Sequence, residues 1–462
     1  MTYNLIVIGA GPGGYEAALE ASEKGMKVAL VEKDKLGGTC LNRGCVPTKT
    51  LMHTADIARE LKDASKFGVN VSEYSVDAAK MQERKNEVLD TLRSGIAALM
   101  KKGKIDVYEG LGVIEGSGRV RVGDEILETE NILIATGSKT FVPPIEGVDI
   151  PGVVTSDELL DKADGIYEHL VIVGGGVIGM EFASLYAALG TKVTIIEALE
   201  RVLAPLDKEI SQNVKMIGKK RGMDIHAKAR VEKFAQGEDG KLITYYSEKD
   251  ELQSVESDGV LVCIGRRANT DGLFADGVAV EMDRDKIVVN DKYQTSLPGV
   301  YAIGDVIGGI QLAHVATAEG RNAVAVMNGE EPSIRMDTVP SCVYTNPEIA
   351  TVGITADEAK AAGLDVVTKK YIMSANGKSV LSDQERGFIK VVADAESKKL
   401  LGAQMMCARA TDMIGEMSTA IANKLTDKHL SKAMKAHPTY NEAIIEAVED
   451  AFGKSIHGKI KK

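Results

Sequence analysis

Cysteine is scarce in this sequence, with five residues among 462, and the odd number does not suggest a disulfide framework. No apolar run approaches the roughly 20 residues that span a bilayer. The first apolar stretch begins at Leu5, so we expect no signal or transit peptide and a location in the reducing cytoplasm. The net charge of −11 would repel nucleic-acid phosphates. These features argue against a secreted protein stabilised by disulfide bonds, a membrane protein and a nucleic-acid-binding protein.

The remaining composition is that of a soluble globular protein, with 44% hydrophobic and 27% charged residues. A chain of 462 residues predicts three or four domains. In a reducing compartment a disulfide is more often catalytic than structural, which directs attention to the closely spaced Cys40 and Cys45. Cys263, Cys342 and Cys407 are predicted to be small core residues.

An internal repeat is the most informative feature of the sequence. Residues 4–14 read NLIVIGAGPGG and residues 170–179 read LVIVGGGVIG, in both cases an apolar strand that runs into a glycine-rich turn. An alanine-rich helical stretch follows each turn, at 15–24 and 180–189, and a second apolar strand then ends on a glutamate. In both copies 23 positions separate the first glycine from that glutamate. The repeated positions are Gly9, Gly11, Gly14 and Glu32 in the first copy and Gly174, Gly176, Gly179 and Glu197 in the second.

The order of strand, glycine turn, helix and acidic residue predicts a dinucleotide-binding unit. The first glycine makes a tight turn, the second lets the backbone approach a pyrophosphate, and the third lets the helix pack closely against the strand. The helix N-terminus then faces the phosphates, and the glutamate accepts hydrogen bonds from a ribose diol. Two such units predict an α/β fold with two Rossmann-like domains that bring FAD and NAD together on one chain. Glu197 favours NAD because its carboxylate would repel the 2′-phosphate of NADP, although Arg201 lies nearby in the sequence.

Further elements are predicted outside the repeat. A charged helix is expected at 78–102 and a meander of strands at 104–134. Three strands that lead into small-residue turns are expected at 132–138, 258–265 and 299–305. The remaining predicted elements are a helix at 314–328, strands at 343–353, 388–393 and 400–405, and helices at 411–424 and 440–452.

The two early cysteines are separated by four residues in a glycine-rich segment. Taken alone, this spacing favours two buried free thiols. Five residues along an ideal helix rise by about 7.5 Å, which exceeds the ~7 Å between Cα atoms beyond which a disulfide cannot close. We therefore predict that the first turn around Gly44 is distorted, so that Cys40 and Cys45 are able to form a disulfide.

The segment GGTCLNRGCVPTK strongly resembles the active-site segment of the pyridine nucleotide-disulfide oxidoreductases. The resemblance extends over essentially the whole chain and includes both nucleotide motifs, ATGS, YAIGD and a C-terminal His-Pro-Thr. It implies four domains, with a C-terminal α+β domain that forms an obligate homodimer. Their expected ranges are 1–147 for FAD, 148–268 for NAD, 269–338 for a central domain that completes the FAD site, and 339–462 for the interface domain.

The resemblance also assigns roles to individual residues. Cys45 would be the thiol nearest the flavin, and Cys40 the thiol that exchanges with substrate. Lys49 would lie beside the flavin, paired with Glu181. The remaining implied FAD contacts are Gly112, Ala135, Thr136, Gly137, Asp305 and Ala313, and the implied NAD contacts are Gly265 and Val231, the last of which is equally compatible with a core position.

The C-terminal segment His437-Pro438-Thr439-Tyr440-Asn441-Glu442 holds a candidate base. A solitary histidine is more often structural or exposed. Here a proline fixes the turn that follows, and the carboxylate of Glu442 is placed to orient the imidazole of His437 and strengthen it as a base. In the resembled family this dyad acts on the active site of the opposite subunit.

The implied activity is oxidation of protein-bound dihydrolipoamide by a Cys40–Cys45 disulfide and FAD, with reduction of NAD+. The expected partner is a lipoyl-bearing protein of a 2-oxoacid dehydrogenase complex or a glycine cleavage system, and no metal site is predicted. Two alternatives stay open. One is another disulfide reductase of the family, acting on glutathione or a related thiol, and the other is a redox-sensing subunit without turnover. Members that need a second, C-terminal cysteine pair are disfavoured, because the last cysteine is Cys407.

Overall fold

The computed structural model describes residues 2–161, 165–384 and 386–457. The strands are β1 (Thr2–Ile8), β2 (Val28–Glu32), β3 (Asp106–Glu109), β4 (Gly112–Gly116), β5 (Arg119–Val122), β6 (Glu125–Ile134), β7 (Ser138–Thr140), β8 (Val153–Thr155), β9 (His169–Val173), β10 (Lys192–Glu197), β11 (Met223–Ala227), β12 (Ala229–Gln236), β13 (Leu242–Glu248), β14 (Glu251–Ser257), β15 (Gly259–Val262), β16 (Arg266–Ala268), β17 (Met282–Asp283), β18 (Lys286–Ile287), β19 (Val300–Ala302), β20 (Ser341–Val343), β21 (Glu348–Gly353), β22 (Val366–Ile372), β23 (Phe388–Asp394) and β24 (Leu400–Cys407).

The α-helices are α1 (Pro12–Glu23), α2 (Gly38–Arg43), α3 (Cys45–Asp63), α4 (Ala78–Lys102), α5 (Ser156–Asp161), α6 (Val177–Ala188), α7 (Lys208–Lys220), α8 (Ala313–Met327), α9 (Ala356–Ala361), α10 (Gly377–Leu381), α11 (Ala410–Ala422), α12 (Asp427–Leu430) and α13 (Glu442–Ala451). Short 3-10 helices cover Ala64–Phe67, Gly304–Ile307 and Met373–Ala375.

The first sheet has the strand order β3-β2-β1-β6-β5-β4, and β19 pairs in parallel with β6. Strand β1 lies in parallel between β2 and β6, where Ile6 faces Ala29 on one side and Ile132 on the other. Its apolar run is continuous because both faces of the sheet are buried, one against α1 and α4 and the other against a cluster that includes Leu273, Val280 and Ile287. Helices α1 and α8 touch through backbone, since a Cβ on Gly320 would lie 2.7 Å from the carbonyl oxygen of Gly13.

The second sheet repeats this plan in the order β11-β10-β9-β15-β8, with β9 parallel to both β10 and β15. An antiparallel sheet of β12, β13 and β14 packs against it around Phe234 and Tyr246. The third large sheet, β20-β21-β24-β23-β22, is antiparallel, and helices α11 and α13 pack on it through a core that includes Met405 and Ile444. The α/β fold with two Rossmann-like units and a C-terminal α+β unit is confirmed.

Several element predictions are confirmed and others needed correction. Helix α4 has the predicted bounds, whereas α1 and α6 each begin three residues earlier than predicted, directly after Gly11 and Gly176. The helix N-termini therefore start at the glycine turn itself, as dinucleotide units require. The prediction did not include α3, α7, β22 or the β12–β14 sheet, although α7 has one clearly apolar face and β13 alternates between more and less buried residues. Among the described residues, no helix is both long and apolar enough to cross a membrane.

Candidate active site

A cleft of about 1950 Å³ lies between the two repeats and the start of the third large sheet. It brings together most of the site residues predicted from sequence, although these come from distant parts of the chain. Those that line it are Gly9, Gly11, Glu32, Cys40, Cys45, Lys49, Gly112, Ala135, Thr136, Gly137, Gly174, Gly176, Glu181, Glu197, Val231, Gly265, Asp305 and Ala313. Val231 also belongs to the core beneath the second sheet.

The first glycine of each motif makes the tight turn that the sequence predicts. Gly9 has φ of +104° and Gly174 has φ of +114°, values that L residues rarely adopt. A Cβ on Gly9 would lie 2.4 Å from the carbonyl oxygen of Ala135, and one on Gly174 would lie 2.6 Å from that of Cys263. In both copies the turn is thus pressed against the loop after the neighbouring strand.

The second and third glycines differ in what surrounds them. A Cβ on Gly14 or Gly179 would lie 1.9 Å from the carbonyl oxygen of the first glycine in its own motif. These two residues pack the helix on the turn and are not among the described residues that line the cleft. A Cβ on Gly176 would meet nothing within 4 Å, and one on Gly11 only the Cα of Gly38 at 4.0 Å. Open space at both helix N-termini fits the pyrophosphates of two dinucleotides.

The acidic residues of the two repeats are held in the same way. Glu32 accepts hydrogen bonds from the backbone N–H groups of Ala10 at 2.7 Å and Asp34 at 2.9 Å. Glu197 accepts from Gly175 at 2.5 Å and Leu199 at 2.6 Å. Each carboxylate keeps lone pairs for a ribose diol, because two oxygens offer about four acceptor positions.

The guanidinium of Arg201 is already engaged by the backbone. Its Nη2 donates to the carbonyl oxygens of Ala204 at 2.7 Å and Leu206 at 3.2 Å. Arg201 is therefore bonded to carbonyl oxygens, while the carboxylate of Glu197 lines the cleft and would repel a 2′-phosphate. For this reason the second repeat suits NAD better than NADP.

The region predicted to contact the flavin contains polar atoms that point to a bound group. The Oγ1 of Thr136 is buried without a hydrogen-bond partner among the described residues. Ser138 Oγ donates to Asp305 Oδ2 at 2.5 Å, and Arg266 Nε donates to Ser138 Oγ at 2.8 Å. Sequence reasoning missed Ser138 and Arg266, although each directly follows a predicted cofactor glycine. The orphan hydroxyl and the oriented carboxylate fit FAD in this half of the cleft.

The cysteines lie on either side of a helix break. Helix α2 ends at Arg43 and α3 begins at Cys45, with Gly44 between them at φ of −146° and ψ of −110°. This confirms the predicted distortion. A Cβ on Gly44 would lie 3.0 Å from the carbonyl oxygen of Thr39, so a side chain at the break would crowd the backbone of α2.

The pKa values of the two thiols are shifted in opposite directions. Both are free, and a hydrogen bond from the Cys40 thiol lowers the pKa of Cys45 from its usual 9.0 to about 7. Burial opposes this shift, the charge of Lys49 favours it, and that of Glu181 opposes it. The same hydrogen bond, together with burial, raises the pKa of Cys40 far above its usual value. Cys45 is therefore the thiolate of the reduced pair and Cys40 its proton-bearing neighbour.

Lys49 is fixed by two groups. Its Nζ lies 2.6 Å from Glu181 Oε2 and 4.5 Å from the centre of the Tyr344 ring. The other oxygen of Glu181 accepts a hydrogen bond from the Tyr344 backbone N–H at 3.0 Å. Tyr344 was missed from sequence because it follows β20, a strand of the third sheet. Cys342, on β20, is half-buried, packs against the core of that sheet and also lines the cleft, so its assignment to the core was only partly right. Cys263 and Cys407 are buried as predicted.

These contacts predict how variants move the pKa of Cys45. In the reduced holoprotein we expect one cysteine to ionise near pH 7, so the thiolate dominates above that pH and the thiol below it. Cys40→Ala should raise this pKa by about 1 to 2, because it removes a hydrogen bond to a charged group. Glu181→Gln should lower it and Lys49→Met should raise it. NMR titration of ¹³Cβ-labelled cysteine gives the pKa of Cys45 in the wild type and the three variants, and an unchanged midpoint in Cys40→Ala would contradict the assignment.

The C-terminal dyad forms as the sequence predicts, outside the set of residues that line the cysteine cleft of its own chain. His437 Nδ1 lies 2.8 Å from Glu442 Oε1, and Glu442 Oε2 accepts the backbone N–H of Thr439 at 2.8 Å. Burial raises the pKa of Glu442, but these two contacts outweigh it and the net pKa is lowered. The imidazole is 77% exposed. Among the described residues that line the cysteine cleft, neither member of the dyad is found.

Comparison with known proteins identifies this architecture. Residues 3–320 match the model of the pyridine nucleotide-disulphide oxidoreductases, and residues 339–448 match the dimerisation domain of that family. The chain belongs to this family. Because it does, the two dinucleotides that the cleft fits are FAD and NAD. The match to the dimerisation domain supports a homodimer.

Relatives share nearly the full length of the chain. A dihydrolipoyl dehydrogenase of Bacillus subtilis is 41% identical over 98% of this chain and 99% of its own. Among solved structures, LpdA from Mycobacterium tuberculosis superposes with a TM-score of 0.89 at 27% identity, covering 97% of this chain and 99% of that one. The HOCl-induced flavoprotein disulfide reductase RclA from Escherichia coli superposes with a TM-score of 0.87 at 31% identity, with the same coverage of both chains.

Proposed function

We propose that this protein is a dihydrolipoyl dehydrogenase, which oxidises protein-bound dihydrolipoamide to lipoamide and reduces NAD+ to NADH. The observation that carries the proposal is that Cys40 and Cys45, on either side of the Gly44 break, line the same cleft as the glycine turns and glutamates of both dinucleotide motifs. The full-length relatives named dihydrolipoyl dehydrogenase, at 36 to 41% identity, support the choice of substrate.

The proposed reaction begins with the Cys40–Cys45 disulfide. His437 accepts the proton of one substrate thiol, and the resulting thiolate attacks the Sγ of Cys40. A substrate–Cys40 disulfide forms while the Cys40–Cys45 bond breaks, and Cys45 leaves as a thiolate. The second substrate thiol then attacks the first substrate sulfur and passes its proton to Cys40. Lipoamide is released, and the protein keeps two electrons as one thiol and one thiolate.

Cys45 is suited to be the leaving group and Cys40 the attacked sulfur. The thiol with the lower pKa leaves faster in disulfide exchange, and the pKa of Cys45 is lowered. Bound FAD supplies the transfer of the electron pair from the dithiol to NAD+. Gly11, Glu32 and Asp305 would hold FAD, while Gly176 and Glu197 would hold NAD.

We further propose that the dyad of one subunit serves the cleft of the other in a homodimer. The exposed imidazole of His437 and the dimerisation-domain match of its segment support this arrangement. The lipoyl group would be presented by a separate protein, either of a 2-oxoacid dehydrogenase complex or of a glycine cleavage system. We also propose that the protein is cytoplasmic. A reducing compartment keeps cysteines that take no part in the catalytic disulfide in their thiol form.

A substrate panel tests the proposal. We expect NADH formation with dihydrolipoamide and NAD+, and rates lower by at least ~100-fold when NADP+ replaces NAD+, because of charge repulsion by Glu197. Reduced glutathione should give no comparable rate. Faster turnover with glutathione would favour the alternative thiol reductase, and no turnover with any thiol would favour a redox-sensing subunit.

A further inference from the structure

The segment that follows Glu197 forms one wall of the cleft beside the second glycine turn. We call residues 198–206 the NAD loop, and the members that line the cleft are Ala198, Leu199, Arg201, Ala204 and Pro205. The loop folds back on the glycine turn, because the Leu203 N–H donates to the carbonyl oxygen of Gly175 at 2.8 Å. Leu203 has φ of +50°, a value that a bulky residue rarely adopts. Since Glu197 accepts hydrogen bonds from both Gly175 and Leu199, its orientation depends on what holds the NAD loop in this conformation.

The NAD loop leads into Asp207, which caps helix α7 and is joined to the third large sheet. Asp207 Oδ1 accepts the backbone N–H of Glu209 at 2.8 Å, while its Oδ2 accepts from Lys390 Nζ at 2.8 Å. Lys390 belongs to β23, and its Nζ also lies 3.0 Å from Glu209 Oε2. Lys370 of β22 pairs with the other carboxylate oxygen of Glu209. Two lysines of the third sheet thus hold the first turn of the helix that follows the NAD loop.

The ion pair between Lys390 and Asp207 is largely shielded from solvent. Their side chains are only 12% and 9% exposed. Burial alone would lower the pKa of Lys390, but the hydrogen bonds to Asp207 and Glu209 outweigh burial and the pKa is raised, so the ammonium remains charged. Removal of one member of such a pair is costly, because the other charge stays buried without its partner. The pair therefore restricts where the cap of α7 can lie relative to β23.

We propose that Lys390 is a positioning residue for NAD, which holds the NAD loop from the third sheet through Asp207 and so keeps Glu197 in place for the ribose diol. Among the described residues that line the cleft, Lys390 is not found. The inference rests on the proposed placement of NAD at Glu197, and it does not depend on which dithiol is oxidised. It makes the affinity for NAD depend on the C-terminal domain, whose Phe388 shares one buried core with Leu203 of the NAD loop.

The test is Lys390→Met, which keeps the length of the side chain and removes its charge. We expect the dissociation constant of NAD+, measured by isothermal titration calorimetry on the FAD-loaded protein, to rise about 10-fold, because a charge-assisted hydrogen bond no longer orders the NAD loop. Without NAD+, the amide hydrogens of the NAD loop should exchange at least ~5-fold faster, as measured by mass spectrometry. In the oxidation of NADH by an artificial dye, the KM for NADH should rise and the KM for the dye should not. Lys390→Arg restores the charge and should bring all three values back towards wild type.

Arg386→Met is the matched control. Arg386 Nη2 donates to Asn213 Oδ1 at 2.6 Å and so also joins the C-terminal domain to α7, but farther along the helix from the Asp207 cap. Its NAD+ affinity and its exchange rates should stay within about two-fold of wild type. Asp207→Asn removes the ion pair and keeps a capping side chain. Combined with Lys390→Met, it should weaken NAD+ binding no further than either single change, because both remove the same contact.

The outcomes that overturn the proposal are distinct. Unchanged NAD+ affinity in Lys390→Met, with FAD bound and a wild-type circular dichroism spectrum, would refute the role of Lys390. An equal loss in Arg386→Met would assign the effect to general docking of α7, and additive losses in the double variant would show that Lys390 and Asp207 act separately. Unchanged NAD+ affinity in Glu197→Gln would place NAD elsewhere and remove the premise. A wild-type protein that binds NAD+ but does not oxidise dihydrolipoamide would refute the proposed function and leave the role of Lys390 standing.

Discussion

Cys45→Ser is expected to lower the oxidation of dihydrolipoamide by more than about 10⁴-fold. The variant cannot form the disulfide that accepts the two electrons, and a serine hydroxyl is neither a leaving group nor a thiolate. FAD should remain bound, because the glycine turns and the carboxylates of Glu32 and Asp305 are untouched. Steady-state NADH formation measures the loss.

Two controls separate this effect from general damage. Cys342→Ser removes one of the two other thiols that line the cleft, the second being the buried Cys263, and turnover should stay within about two-fold because Cys342 has no partner in the exchange. NADH oxidation by an artificial dye should persist in Cys45→Ser, since that reaction does not need the disulfide. Substantial dihydrolipoamide turnover in Cys45→Ser would show that electrons enter by another route.

His437→Ala is expected to reduce dihydrolipoamide turnover by about 10² to 10⁴-fold, the usual contribution of a positioned general base. Glu442→Gln should cost about 10-fold, because it exchanges a charge-assisted hydrogen bond to the imidazole for a neutral one. The effect should appear in turnover with dihydrolipoamide and leave NADH oxidation by dye unchanged.

The chain offers a matched control for this experiment. His457 Nδ1 lies 2.7 Å from Glu446 Oε1, and the imidazole is 73% exposed, which reproduces the local setting of His437. His457→Ala should therefore behave as wild type. Equal losses in the two histidine variants would point to damage of the C-terminal domain, and normal turnover in His437→Ala would exclude it as the base.

The local sequence was sufficient to predict those features of the fold and the site that depend on residues close together in the chain. The spacing of Gly9, Gly14 and Glu32 specified a turn, a packed helix and a carboxylate, and the second copy specified the same. The break at Gly44 followed from the reach of a disulfide across five residues. The contact between His437 and Glu442 followed from a proline turn leading into a helix.

Contacts between segments that are far apart in the sequence could not be predicted from local sequence patterns. Tyr344 reaches Lys49 and Glu181 only because the third sheet begins at the edge of the cleft. Arg266 joins Asp305 through Ser138 because β16 pairs with β7. The hydrophobic pattern of a single segment does not predict these contacts, because they depend on how separate sheets and helices pack together.

The sequence by itself determined the two nucleotide motifs, the helix break between Cys40 and Cys45 and the contact between His437 and Glu442, because each is set by residue type and spacing within one stretch of chain. Only the tertiary structure decided which cysteine is the thiolate, since that depends on the hydrogen bond from Cys40 and on the charges of Lys49 and Glu181. It also placed the exposed His437 outside the residues that line the cleft of its own chain. Electrostatic and steric effects depend on the distances between side chains, and these distances are set only when the chain folds.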